Sequence, residues 1–194
     1  MAFPSFDFEK YQQTELFNLL EENPFVFGVM AIIVAPIIEE GAFRSLIKPT
    51  ENQIIYFCCA WFILISSIFI PPDAHWVLKY VLLALSVILI FMFLKAAIPQ
   101  KTLSAIKTWL HLHYKAVWIV SAFLFGLVHV FNYVEGFEIN ILLFLLIFPR
   151  IIAGYFFGKV KMENKGMVWP IVMHAMNNSI ILFFLIPKLF SLFI

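Results

Sequence analysis

Long apolar runs broken by short polar stretches set the pattern of this chain. A helix needs about 20 apolar residues to cross a bilayer. Six runs reach or approach that length: 24–47, 52–70, 74–98, 116–134, 139–160 and 166–187, with apolar chain continuing to 194. Pro49 and Asn52 close the first, "PPD" at 71–73 predicts a tight turn before the third, and Pro99 closes the third. "EGFE" separates the fourth run from the fifth, and "KVKMENKG" the fifth from the sixth. Between the third and fourth lies "QKTLSAIKTWLHLHYK", short, basic and amphipathic, as expected of a helix on the membrane surface.

Residues 1–23 predict a second interfacial helix. Phe6, Phe8, Leu16, Phe17, Leu19 and Leu20 alternate there with Asp7, Glu9, Glu15, Glu21 and Glu22. A cleavable signal peptide has a basic start and an unbroken apolar middle, and this stretch has neither. The expected fold is therefore all-α: a polytopic transmembrane bundle of about six spanning helices over 24–194, behind an interfacial segment.

Composition strengthens the membrane reading. Of 194 residues, 63% are hydrophobic and 13% charged, and the mean hydropathy is +0.95. Soluble domains average roughly 45–50% apolar and about 25% charged residues. The net charge of +1 gives no argument for a nucleic-acid partner. Cys58 and Cys59 are adjacent on one predicted helix, where they bridge poorly, and read as packing residues.

Lysines orient the bundle. Lys48, Lys95, Lys101, Lys107, Lys115, Lys159, Lys161 and Lys165 fall on one side; Lys10, Lys79 and Lys188 fall on the other. The first side is expected to be cytoplasmic, with both termini outside.

Against this background a few residues stand out as costly in lipid. The first run carries Glu39, Glu40 and Arg44; the fourth, His129 and Asn132; the fifth, Arg150; the sixth, His174, Asn177 and Asn178. Intramembrane ionisable groups normally face a bundle interior or a wet cavity and mark function. Glu40 and Arg44 are i,i+4 and share a helix face, whereas Glu39 points about 100° away. His174 and Asn178 have the same i,i+4 spacing. Glu39 and His174 lie at similar depths, about 12 Å from the lysine-rich end, but His129 counts out deeper, at about 20 Å.

Two carboxylates and two histidines brought together are equipped to activate water. A histidine and an asparagine amide can also stabilise an oxyanion. The same groups match a catalytic zinc set, with Glu39, His129 and His174 as ligands and the other glutamate free as base. Both versions stay open on spacing alone. Arg150 reads chiefly as a structural cation, with binding of a substrate carboxylate as the alternative. Gly154 and Gly158 read as a close helix contact, and Pro36 as a bend before Glu39.

At these residues the chain resembles the CPBP family of intramembrane proteases, which includes type II CAAX prenyl endopeptidases and bacterial bacteriocin-processing or immunity homologues. "EEGAFR" matches its EExxxR motif, "FGLVH" its FxxxH motif and "HAMNN" its HxxxN motif. The resemblance covers 34–50 and 118–182. It implies an endopeptidase acting on a membrane-associated, CAAX-type or leader-type peptide, located in a bacterial cytoplasmic membrane with its site toward the cytoplasm. By resemblance, Glu39 is the general base, assisted by His129, and Glu40 supports the site beside Arg44. His174 and Asn178 form the oxyanion hole, and Asn132 lies near. Family members have been described both with and without metal, so zinc remains an open cofactor. The chain departs from the family in placing 52–98, a helix pair, between the first two motifs.

Two other classes compete with a protease. A non-catalytic scaffold or immunity-type protein would keep the fold without the chemistry. An ion or proton transporter would also carry intramembrane carboxylates, but the second and third runs are apolar throughout and no inverted repeat is visible.

Overall fold

The computed structural model describes residues 11, 14–67, 69–70, 75–134, 138 and 140–192. The predicted turn at 71–73, most of "EGFE" and the first ten residues of the interfacial segment lie outside the described residues. Every regular element among the described residues is helical. In chain order they are α1 (Thr14–Glu22), α2 (Pro24–Val29), a π turn (Met30–Val34), α3 (Ala35–Arg44), α4 (Glu51–Ser67), α5 (Trp76–Ala97), α6 (Gln100–Leu112), α7 (Tyr114–Val128), a 3-10 turn (His129–Asn132), α8 (Ile141–Asn164) and α9 (Val168–Leu192).

Among the described residues four stretches are long and apolar enough to cross a membrane: Pro24–Arg44, Val77–Ala97, Tyr114–Asn132 and Ile141–Asn164. Of the six expected spans, the other two correspond to α4 and α9, which pack in the same bundle but do not meet that length and hydropathy over their described residues. α4 has 17 residues, the short end of the spanning range, and α9 has 25. α6 lays Leu103 and Leu110 against Ile54, Ile55 and Cys59 of α4 and leaves its polar face outward. This is an integral membrane protein.

Boundaries moved in two places. The first run ends at Arg44 rather than Ile47, and a short connection then leads to α4. Most of "KVKMENKG", expected as a turn, is absorbed into α8, which stops at Lys165 in the left-handed conformation. The polar residues there continue the helix past the apolar run. Lys161 turns back into the bundle, 3% exposed, where its Nζ donates to the carbonyl of Ile47 and to Gln53 Oε1. One of the eight lysines used to orient the bundle is therefore a structural cation.

The end of α3 is held from three directions. The last carbonyls of a helix lack backbone donors, and within lipid each must find another. Trp61 Nε1 of α4 donates to the Ala42 carbonyl at 3.2 Å. The Ser121 hydroxyl of α7 donates to the Phe43 carbonyl. The amide of Ile47 donates to Arg44 at 3.0 Å. α4, from the inserted pair, thus packs directly on the helix that carries the glutamates. Tyr56 of α4 also donates to the Ile37 carbonyl at 2.5 Å, and a Cβ on Gly41 would stand 2.8 Å from the Tyr56 ring. α5 instead turns most of its length to lipid and has no fully buried residue in its spanning window.

α7 and α8 form the tightest antiparallel pair. A Cβ at Gly126 would meet Ile151 Cγ1 at 2.2 Å, and one at Gly158 would meet Trp118 at 2.4 Å. A Cβ at Gly154 would press on the Ala122 backbone at 3.2 Å. Gly154 and Gly158 therefore serve close packing, as their spacing predicts. Ala42, Phe43, Ala60, Phe125 and Phe157 close the core beneath the glutamates.

Candidate active site

Glu39, His129 and His174 line a cavity of about 570 Å³ walled by α1, α2, the π turn, α3, Tyr80 of α5, the 3-10 turn, α8 and α9, and Glu40 is buried behind His174. Glu39 Oε2 lies 3.8 Å from His129 Nε2 and 3.8 Å from His174 Nε2. These separations are too long for direct hydrogen bonds and suit a bridging water. Glu39 Oε2 has no hydrogen-bond partner of its own.

The depth mismatch of His129 resolves in the packing. The Ser121–Phe43 hydrogen bond sets Ser121 level with the end of α3, so the first turns of α7 lie beyond it. Side chains lean toward the N-terminus of their helix. α3 and α7 run in opposite directions, so Glu39 and His129 lean toward each other.

Each histidine has its ring fixed from behind. His129 Nδ1 lies 2.6 Å from the Phe125 carbonyl, and His174 Nδ1 lies 2.9 Å from Glu40 Oε1. A carbonyl and a carboxylate accept, so Nδ1 carries the proton in both rings. When the rings are neutral, both Nε2 lone pairs face the cavity. His174 donates through Nε2 only as imidazolium, with Glu40 as its counter-charge. Phe157 stacks on His174 at 4.8 Å, and Phe125 meets both histidines edge to face, at 4.7 and 5.6 Å.

Glu40 and Arg44 are both fully buried. Arg44 Nε stands 3.2 Å from Glu40 Oε2, within ion-pair range but not aligned for a hydrogen bond. The guanidinium lies over the ring of Phe125 at 4.0 Å, with Phe157 at 5.5 Å and Phe43 at 5.8 Å. Its positive charge is met by one carboxylate and by aromatic faces.

Asn178 is anchored by a backbone vacancy. In the π turn, Ala35 N–H donates to the Met30 carbonyl five residues back. The next carbonyl, Ala31, would take the N–H of residue 36, which is proline and has none. Asn178 Nδ2 supplies that donor at 2.8 Å. The bend expected at Pro36 is thus a π turn, and one amide hydrogen of Asn178 is committed to it. Asn132, on the 3-10 turn, is exposed and lines the same cavity, as does Arg150.

Among the described residues no three His, Cys, Asp or Glu side chains are grouped to hold a metal ion. Glu39 approaches the two histidines through a single oxygen, at 3.8 Å from each.

The sequence singled out Glu39, Glu40, Arg44, His129, His174 and Asn178, which the structure brings together, but not Tyr80 or Asn23, which also line the cavity. It also missed the groups that hold the centre: Tyr56, Trp61, Ser121, Phe157 and the Ala31 carbonyl. The lone polar atoms of Tyr56, Trp61 and Ser121 inside apolar runs were the available signal.

Fold and site together define a polytopic membrane protein with a carboxylate–histidine centre enclosed by its helices. The chain belongs to the type II CAAX prenyl endopeptidase Rce1-like family, whose model matches residues 21–180. That is a family of CAAX-type intramembrane proteases, and it implies a peptide substrate at the membrane. No curated protein and no solved structure gives a significant match.

Proposed function

We propose that this protein hydrolyses a peptide bond of a membrane-associated peptide, using water activated by Glu39. The observation that carries this reading is the convergence of Glu39 Oε2 with His129 Nε2 and His174 Nε2, 3.8 Å from each. A water between Glu39 and His129 gives its proton to the Glu39 carboxylate as its oxygen attacks the carbonyl carbon. The tetrahedral oxyanion receives hydrogen bonds from His174 Nε2–H, in the imidazolium form that Glu40 supports, and from the remaining amide hydrogen of Asn178. Glu39 then returns the proton to the leaving amine. Arg44 balances the charge of Glu40, and Asn132 is a further polar group at the cavity wall.

The apolar cavity walls of Val26, Phe27, Met30, Ile181 and Leu182 suit a substrate with a lipid-like part, and family membership supports a CAAX-type prenylated peptide. The lysine bias supports an orientation with the site toward the cytoplasm, and a bacterial cytoplasmic membrane is the location we assign by resemblance to bacterial family members.

The test is Glu39→Gln, purified in nanodiscs and assayed on a prenylated CAAX peptide. Cleavage is expected to fall by about 10²–10⁴-fold while the melting temperature holds, since Glu39 Oε2 has no hydrogen bond to lose. Undiminished cleavage would sink the general-base assignment. A protein that cleaves nothing, yet keeps its cellular phenotype after this substitution, is the scaffold instead.

A further inference from the structure

The cavity that holds the glutamate–histidine centre also contains Arg150, whose charge reaches Glu39 and His129 but which makes no direct bond to either. Arg150 is half-buried on α8 and lines the cavity wall. It makes no hydrogen bond and no ion pair among the described residues. The other buried cations differ. Arg44 is boxed by Glu40 and three phenylalanine rings, and Lys161 is bonded to Ile47 and Gln53. A cation left unpaired at membrane depth is costly, and such residues normally face a partner or a pathway.

Its level in the bundle is set by the α7–α8 packing. Gly126 abuts Ile151, so Arg150 stands beside the last turn of α7, close below His129. The same cavity is lined by apolar Val26, Phe27, Met30, Ile181 and Leu182 and by Glu22 of α1. Arg150 is the one permanent cation among the described lining residues, beside the carboxylates Glu39 and Glu22, so an anionic group in the cavity finds its attraction at Arg150. A guanidinium presents a planar fork of N–H donors that matches a carboxylate in two-point contact.

We propose that Arg150 is a carboxylate-binding subsite that anchors the peptide substrate beside the reacting centre. The carboxylate is either the free C-terminus of the peptide or an acidic side chain near the scissile bond. This rests on the proteolytic reading above and adds a specificity-determining residue to it. The apolar remainder of the substrate then lies along Met30, Ile181 and Leu182.

The experiment measures binding without turnover, on Glu39→Gln protein in phosphatidylcholine nanodiscs. Three fluorescent S-farnesyl peptides serve as probes: one with a free C-terminus, the same peptide as C-terminal amide, and an amide carrying one Asp near its end. The free acid or the Asp peptide is expected to bind roughly 10- to 100-fold tighter than the plain amide. Whichever of the two gains affinity identifies the source of the carboxylate. Adding Arg150→Gln is expected to erase the difference and leave binding of the plain amide unchanged, which also reports that the protein is folded. Arg150→Lys is expected to retain part of it. Equal binding of all three probes, binding of none, or discrimination that survives Arg150→Gln overturns the proposal. Cleavage by the unsubstituted protein, measured in parallel, decides the proteolytic reading separately.

Discussion

Glu40 Oε1 lies 2.9 Å from His174 Nδ1, and both side chains are buried in the bundle. The second glutamate of the EExxxR motif therefore does more than face Arg44. It orients a histidine from a different helix and fixes which ring nitrogen carries the proton.

This relationship gives a graded prediction. In Glu40→Gln the amide oxygen can still accept from Nδ1, but the negative charge beside an imidazolium is gone. Activity is expected to fall by on the order of 10²-fold, and stability is expected to fall because Arg44 loses its counter-charge, though by less than in the alanine variant, since the amide still accepts a hydrogen bond. Glu40→Ala removes the acceptor as well and leaves Arg44 without its carboxylate, so unfolding in detergent is expected to become easier by about 3–5 kcal/mol. Cleavage rates and denaturation curves for the pair check both statements. Equal effects of the two substitutions would remove the orienting role.

Asn178 is tied to the fold and, as proposed, to the chemistry, and the two roles can be separated. Asn178→Ala takes away the donor that serves the Ala31 carbonyl. It is expected to cost about 1–3 kcal/mol of stability and about 10²–10³-fold in kcat. Adding Pro36→Ala restores an N–H at residue 36, the π-register donor for Ala31. The double variant should then regain stability while staying slow. If kcat recovers together with stability, Asn178 is an anchor and no oxyanion donor.

Much of the centre was legible because lipid makes polar residues conspicuous. Glu39, Glu40, Arg44, His129, His174 and Asn178 stand out in apolar runs, and i,i+4 spacing paired Glu40 with Arg44 correctly. The His174–Glu40 contact spans 134 positions, and no local spacing encodes it. The π turn was also hidden. Pro36 signals a lost donor, but which carbonyl is orphaned depends on the register the backbone adopts around it. The helical architecture was legible, but among the described residues four of the six expected runs are long and apolar enough to span, and α4 stops at 17 residues because Glu51, Asn52 and Gln53 open it with polar side chains. Lys161 misled the reading of α8: its charge looks like a turn, yet its amine reaches back to the carbonyl of Ile47.

Metal dependence is open to a direct check. With Glu39, His129 and His174 not grouped as a ligand set, cleavage by protein treated with chelator and freed of excess metal is expected to equal that of untreated protein. The measurement pairs metal content per protein with initial rate. One zinc per protein, lost together with activity and regained with it on adding zinc back, would replace water activation by Glu39 alone with a metal mechanism.

The α7–α8 contact links stability to the cavity. A methyl at Gly126 would sit 2.2 Å from Ile151 Cγ1 and 3.2 Å from the Ile151 amide nitrogen, so neither a rotamer change nor a small backbone shift relieves it. Gly126→Ala is expected to destabilise the protein by about 1–3 kcal/mol, the usual range for overpacking. It should also push α8 away from α7 and carry Arg150, the neighbour of Ile151, out of its place beside His129. The KM for a carboxylate-bearing peptide should therefore rise more than kcat falls. Ile151→Ala removes the clashing atoms, and the double variant should recover most of the KM even where the smaller side chain costs some stability. A Gly126→Ala protein with unchanged stability and KM would show that the two helices do not meet as closely as the fold requires.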